Sequence, residues 1–277
     1  MGSDEKAHPS MGFKMMKFWK GFLIDIQFFT AIPFRRELPM DKEHLKKAVQ
    51  AFPLVGLVQG IIYSAVSYLC LEFTPFSHLA SAFLLWLATI LLTGGIHLDG
   101  WMDASDAFFS YQDQEKRLEI MKDPRTGAFG VLSILVLLSC RFLFIYESIA
   151  NVENVLFIII ALIPFLSKSV MGVLLLTVKT AKNEGLGALF QNAAKPQSLW
   201  LYTIYLLCIL ILVSFFNNEF FIIGTLILIS ACCIFLFRRK AVKWFGGITG
   251  DVLGAAVEGT ELILWMTVWL LHYFVMV

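Results

Sequence analysis

Seven near-continuous apolar stretches constrain this chain more than any other feature: 52–71, 79–98, 128–146, 154–176, 199–216, 220–237 and about 250–276. A helix needs about 20 apolar residues to cross the hydrocarbon core of a bilayer, with every backbone polar group satisfied inside the helix. Each stretch meets or nearly meets that length. The composition agrees: 58% of the 277 residues are hydrophobic and 16% charged, against about 45–50% and about 25% in an ordinary soluble domain. A water-soluble fold of this size cannot hide that much apolar surface in one core. The expected fold is therefore an all-α, polytopic membrane bundle of about seven transmembrane helices.

The charges sort themselves between the stretches. Connections 72–78, 147–153 and 217–219 hold no Lys or Arg, only Glu72, Glu147, Glu153 and Glu219. All 22 Lys and Arg except Arg141 and Lys168 fall before Phe52 or within 99–127, 177–198 and 238–249. By the positive-inside rule the basic side faces the cytoplasm, which gives an N-terminus inside and a C-terminus outside. A net charge of +1 suggests no polyanion, and so no nucleic acid, as partner. Five Cys without CxxC spacing indicate neither a disulfide frame nor a zinc site.

Residues 18–34 are apolar but short, carry Lys20 and Asp25, and end at Pro33 before Arg35 and Arg36. They suit an interfacial or re-entrant helix better than a span. Residues 1–14 read as a vector-derived or disordered N-terminus, and 15–277 as a single membrane-embedded domain.

Three segments carry chemistry. In GGIHLDGWMDASDAFF (94–109), Asp99, Asp103 and Asp106 stand at i, i+4 and i+7 and share one helix face. Three aligned carboxylates repel one another, and hard oxygen ligands at a membrane boundary suggest Mg²⁺ or Mn²⁺ serving a phosphate. The competing account is a solvated face, or acids favoured at a helix N-terminus; Trp101, Ala104, Phe108 and Phe109 do not suit solvent. His97 is a candidate base, ligand or structural donor. In RLEIMKDPRTGAFG (117–130), Lys122 and Arg125 suit phosphate, unless they merely belong to a basic cytoplasmic loop. GGITGDVLGAAVEGTE (246–261) sets Asp251 and Glu258 seven apart, with Gly254 and Ala255 between them for close helix packing. Arg141 and Lys168 are intramembrane cations, functional candidates unless they snorkel to an interface.

These segments, with FFTAIPF (28–34), FPLVGLVQG (52–60) and NEGLGALF (183–190), closely resemble cobalamin synthase, the adenosylcobinamide-GDP ribazoletransferase family of bacterial inner membranes. The resemblance runs from about residue 22 to residue 265. It implies Mg²⁺-dependent joining of adenosylcobinamide-GDP to α-ribazole or its 5′-phosphate, releasing GMP. Asp99, Asp103 and Asp251 would hold metal; Asp106, Glu258 or His97 would orient water or take a proton; Lys122, Arg125, Arg141 and Lys168 would hold phosphate oxygens. The site would face the cytoplasm, and a homo-oligomer is compatible with the chain. Trp101 and Met102 depart from the smaller aliphatic residues usual there. The acid-rich helix is also similar to that of CDP-alcohol phosphotransferases, which leaves lipid headgroup transfer as the alternative, while a secondary transporter or a noncatalytic scaffold explains the helices alone.

Overall fold

A computed structural model describes residues 11–151, 155–214 and 220–274. Among these, every regular element is a helix. The chain opens with α1 (Met11–Phe29) and α2 (Lys42–Phe73), followed by α3 (His78–Thr93), α4 (Ile96–Phe109) and the short α5 (Gln114–Ile120). Then come α6 (Ala128–Asn151), α7 (Leu156–Thr177), α8 (Leu186–Ala193), α9 (Trp200–Ser214), α10 (Phe220–Phe245) and α11 (Gly250–Phe274).

Six helical segments are long and apolar enough to cross a membrane: α2, α6, α7, α9 with the turn before it, α10 and α11. Stretch 79–98 behaves differently. Gly94 and Gly95 both adopt left-handed backbone, φ 63° and 76°, which a side chain disfavours and glycine accepts freely. The chain bends there by 86°, so α3 ends and α4 turns across the bundle with its carboxylates. The seven apolar stretches thus become six long helices and one broken pair. α1 is a separate helix, as read from its charges, and starts at Met11, inside the segment expected to lie outside the fold; residues 1–10 lie outside the described ones, as do Glu153 and Glu219.

α7 is the hub. Most of its side chains are buried, and it packs on α2, α10 and α11. The α2 contact needs Gly56 and Gly60, where a Cβ would stand 2.2 Å from the carbonyl oxygens of Pro164 and Ala161. Small residues spaced by four let two helix backbones meet directly, the association mode that lipid favours. Around α7 the buried side chains form two apolar clusters. One holds Phe52, Leu175, Phe190 and Leu253; the other holds Leu85, Ile145, Ile223 and Leu264.

Candidate active site

α4 and α11 bring the predicted acids together. A Cβ on Gly100 would lie 2.8 Å from the Asp251 carbonyl oxygen, and one on Gly254 would lie 3.3 Å from the His97 backbone. The two helices therefore interlock through glycines. Asp99 and Asp251 line one cavity of about 260 Å³. Asp103, one turn further along α4, lies within electrostatic reach of the carboxylates of Asp99, Asp251 and Asp106. Among the described residues, no three His, Cys, Asp or Glu side chains are already arranged around a metal position. We expect Gly100→Ala to force α4 and α11 apart, costing about 1–3 kcal/mol by overpacking and most of the activity; thermal unfolding and turnover of the purified variant check this.

The same cavity collects segments that carried no assigned role in the sequence. Phe28 and Phe29 come from FFTAIPF, Phe52 from FPLVGLVQG, and Leu186, Gly187 and Phe190 from NEGLGALF. What delivers the last segment is a small clasp. Ala181 donates its N–H to Ile248 O at 2.9 Å, and Ile248 donates to Lys179 O at 2.9 Å, tying the loop before α8 to the loop before α11. His97 is buried, its ring stacked on Phe29 at 5.5 Å, and its Nε2 has no hydrogen-bond partner among the described residues. It forms part of the wall.

Asp106 sits on the predicted face but has a structural task. Its two carboxylate oxygens accept the backbone N–H groups of Gly127 and Gly130, each at 2.7 Å. A carboxylate at the start of α6 satisfies donors that the helix cannot. There is no room for side chains here, since a Cβ on either glycine would strike the Asp106 carboxyl. Arg125 closes its guanidinium on Asp123 through Nε at 2.9 Å and Nη2 at 2.6 Å, which holds the Asp123 carboxyl down at about 2. Lys122 is exposed. It lies near Lys182, whose ammonium donates to Leu118 O at 2.8 Å. Burial and then the Lys122 charge press Lys182 below the usual lysine range, with Asp251 opposing. Lys182 had no distinguishing pattern in the sequence, and only the fold sets it beside the site.

Arg141, Lys168 and Glu258 require a correction. They do not reach into the cavity that Asp99 and Asp251 line. Arg141 and Lys168 are 2% and 1% exposed, and the guanidinium pairs with Glu258 from α11. Arg141 Nη1 also lies 3.8 Å from Glu261, and Lys168 Nζ lies 3.6 Å from the same carboxylate. Ser167 donates its hydroxyl to Glu261 at 2.9 Å. Two cations and two anions thus neutralise one another between α6, α7 and α11, where water cannot solvate them. The signal that was missed is Glu261, one helical turn from Glu258 and on the same face.

A family model described as cobalamin-5-phosphate synthase matches residues 21–269. The chain belongs to that family. Similar proteins named adenosylcobinamide-GDP ribazoletransferase come from Geobacillus sp. (strain WCH70), 43% identical over 94% of this chain and 98% of the relative, and from Geobacillus thermodenitrificans, 41% identical over 93% and 98%. One from Clostridioides difficile is 36% identical over 92% and 98%. No solved structure matches the chain. The family match spans all the motif segments at once, and nothing in these comparisons favours lipid headgroup transfer or transport.

Proposed function

We propose that this member of the cobalamin-5-phosphate synthase family transfers the cobinamide phosphate of adenosylcobinamide-GDP to α-ribazole or its 5′-phosphate, releasing GMP. The observation that carries the reading is the cavity between α4 and α11, where Asp99 and Asp251 from two helices face a pocket built from five family motifs. The names of the relatives supply the donor substrate. In the reaction a ribose hydroxyl attacks the cobinamide-bearing phosphorus, the bond from that phosphorus to the bridging oxygen breaks, and GMP leaves with that oxygen.

The donor set suits Mg²⁺, with Mn²⁺ as a substitute. That ion takes hard oxygens and is commonly held by one or two carboxylates together with substrate phosphates, so a complete protein cage is not needed. Asp99 and Asp251, with Asp103 beside them, would hold it, and when bound it would neutralise charge developing on the pyrophosphate. The chain's own part is positioning. Interlocked glycines fix the distance between α4 and α11, Asp106 anchors the start of α6 through Gly127 and Gly130, and Lys182 sets positive charge near Asp251. Charge complementarity and orientation do most of the work in displacements of this kind.

Purified protein in detergent, given adenosylcobinamide-GDP, α-ribazole and Mg²⁺, should release GMP in step with cobalamin formation. Product that never forms under these conditions, with folded protein, refutes the reading. The site faces the cytoplasm of a bacterial cytoplasmic (inner) membrane in this proposal, because the basic connections share its side. A reporter fused after Val277 should accordingly read as extracytoplasmic and one inserted near Gln112 as cytoplasmic; the reverse pattern would invert the orientation.

A further inference from the structure

The wall of the cavity beside Asp99 and Asp251 combines two chemistries, carboxylates and a cluster of phenylalanine rings. Phe29 meets Phe52 edge-on at 5.2 Å and 89°, and Phe52 meets Phe190 at 5.7 Å and 61°. Phe28 meets Phe190 edge-on at 5.9 Å and 86°. Met171 and Leu175 of α7 and Leu253 of α11 complete the apolar walls. A ligand that fits meets mostly apolar and aromatic surface, with carboxylates in the same wall.

We propose that Phe29, Phe52 and Phe190 form the binding site for the planar base of the acceptor nucleoside, an assignment that rests on the transfer reaction proposed above. A corrin ring could not be enclosed here: the cavity is about 260 Å³, below the roughly 300–1,000 Å³ of pockets that enclose a whole drug-sized ligand. One bicyclic ring system is what such a volume admits. Chemistry separates the two bases that take part. Guanine carries acceptors at O6 and N7 and a donor at N2, and burying those against phenylalanine and leucine leaves them unpaired at a substantial cost. The benzimidazole base of α-ribazole has a hydrocarbon edge and a π-face, and stacking on aromatic side chains is its natural mode of binding. With the base against these rings, its ribose shares the cavity with Asp99 and Asp251. The aromatic cavity on the other side of α4, lined by Trp101, Phe108, Trp244 and Lys240, has no carboxylate in its wall, so a nucleoside held there would carry its hydroxyl away from the acids.

The test uses the full chain in detergent with Mg²⁺ and compares wild type with Phe190→Leu and Leu186→Trp. Leucine keeps the apolar character of residue 190 but removes the flat face. Leu186 is 46% exposed on the rim, so tryptophan there narrows the entrance without disturbing the core. The KM for α-ribazole should rise roughly tenfold in Phe190→Leu, the loss of one aromatic face against a base, and rise also in Leu186→Trp, while the KM for adenosylcobinamide-GDP stays put. Calorimetric titration with α-ribazole, with guanosine as competitor, should give the same order of affinities without turnover, and guanosine should not displace α-ribazole from any of the three proteins. An α-ribazole KM and affinity unchanged in both folded variants overturns the proposal, as does a rise confined to adenosylcobinamide-GDP. The two readings fail separately. Binding of α-ribazole that the variants lose, without GMP release by wild type, keeps the acceptor site and removes the reaction; GMP release with unaltered α-ribazole constants keeps the reaction and removes the site.

Discussion

Replacing Asp99, Asp103 or Asp251 with Asn should cut GMP release about a thousandfold, a loss of roughly 4 kcal/mol of transition-state stabilisation at 1.36 kcal/mol per decade, while the protein stays folded. Asn keeps the size of Asp and removes its charge, so packing between α4 and α11 is spared. What is lost is the negative potential that would hold a divalent cation against a pyrophosphate. Relief of repulsion among the remaining acids even favours the folded state slightly. Groups that act as one unit do not add, so the Asp99→Asn, Asp251→Asn pair should be scarcely worse than the worse single variant. Raised Mg²⁺ should partly restore the single variants. GMP release measured against metal concentration for each variant decides the matter. Losses that multiply, with an unchanged metal dependence, would separate Asp251 from the other two and make it a helix-packing or substrate-contacting residue.

Arg141→Met should destabilise the protein by about 3–5 kcal/mol, the cost of stranding a buried charge whose partner has been removed. With the guanidinium gone, Glu258 and Glu261 face only Lys168, and no water reaches them. Replacing Arg141 and Glu258 together, by Met and Leu, removes one cation and one anion and should recover much of that loss. The observable is the unfolding midpoint in detergent, together with the yield of monodisperse protein. If Arg141 gripped substrate phosphate instead, Arg141→Met would raise the KM for adenosylcobinamide-GDP and leave the unfolding midpoint where it was. The pairing with Glu258 argues for the first outcome. Because Glu258 lies two turns below Asp251 on α11, the ion pair also fixes the rotation of the helix that carries Asp251.

Much of this was legible without coordinates, and the reason differs from element to element. The spanning helices follow from hydropathy, because lipid forces each apolar stretch to satisfy its own backbone. The orientation expected for them follows from the placement of Lys and Arg. That residues 18–34 lie outside the long apolar helices was visible in Lys20 and Asp25. Asp99 and Asp103 were found because a period of 3.6 puts i and i+4 on one face. Periodicity, however, reports only which face of a helix a residue occupies. It could not foresee that Asp106, on that same face, would accept the N–H groups of Gly127 and Gly130. It likewise could not foresee that Arg141 and Lys168 would find Glu258 and Glu261, since an intramembrane cation looks the same whether its partner is a substrate or a helix.

The sequence by itself determined a membrane-embedded helical bundle, its basic side, the family and the candidate acids, because each of these is written in local pattern: run length, charge placement, spacing and motif. Tertiary structure alone decided which acids meet and what stands opposite them. Asp99 and Asp251 are 152 residues apart in the chain, and they share a cavity only because Gly94 and Gly95 turn α4 across the bundle and Gly100 lets α11 come within backbone contact. Phe29, Phe52 and Phe190 are ordinary core phenylalanines to any pattern rule, since apolar burial is non-directional. Packing of α1 and α8 on α2, not spacing in the chain, gathers them into the wall of the cavity that the carboxylates line.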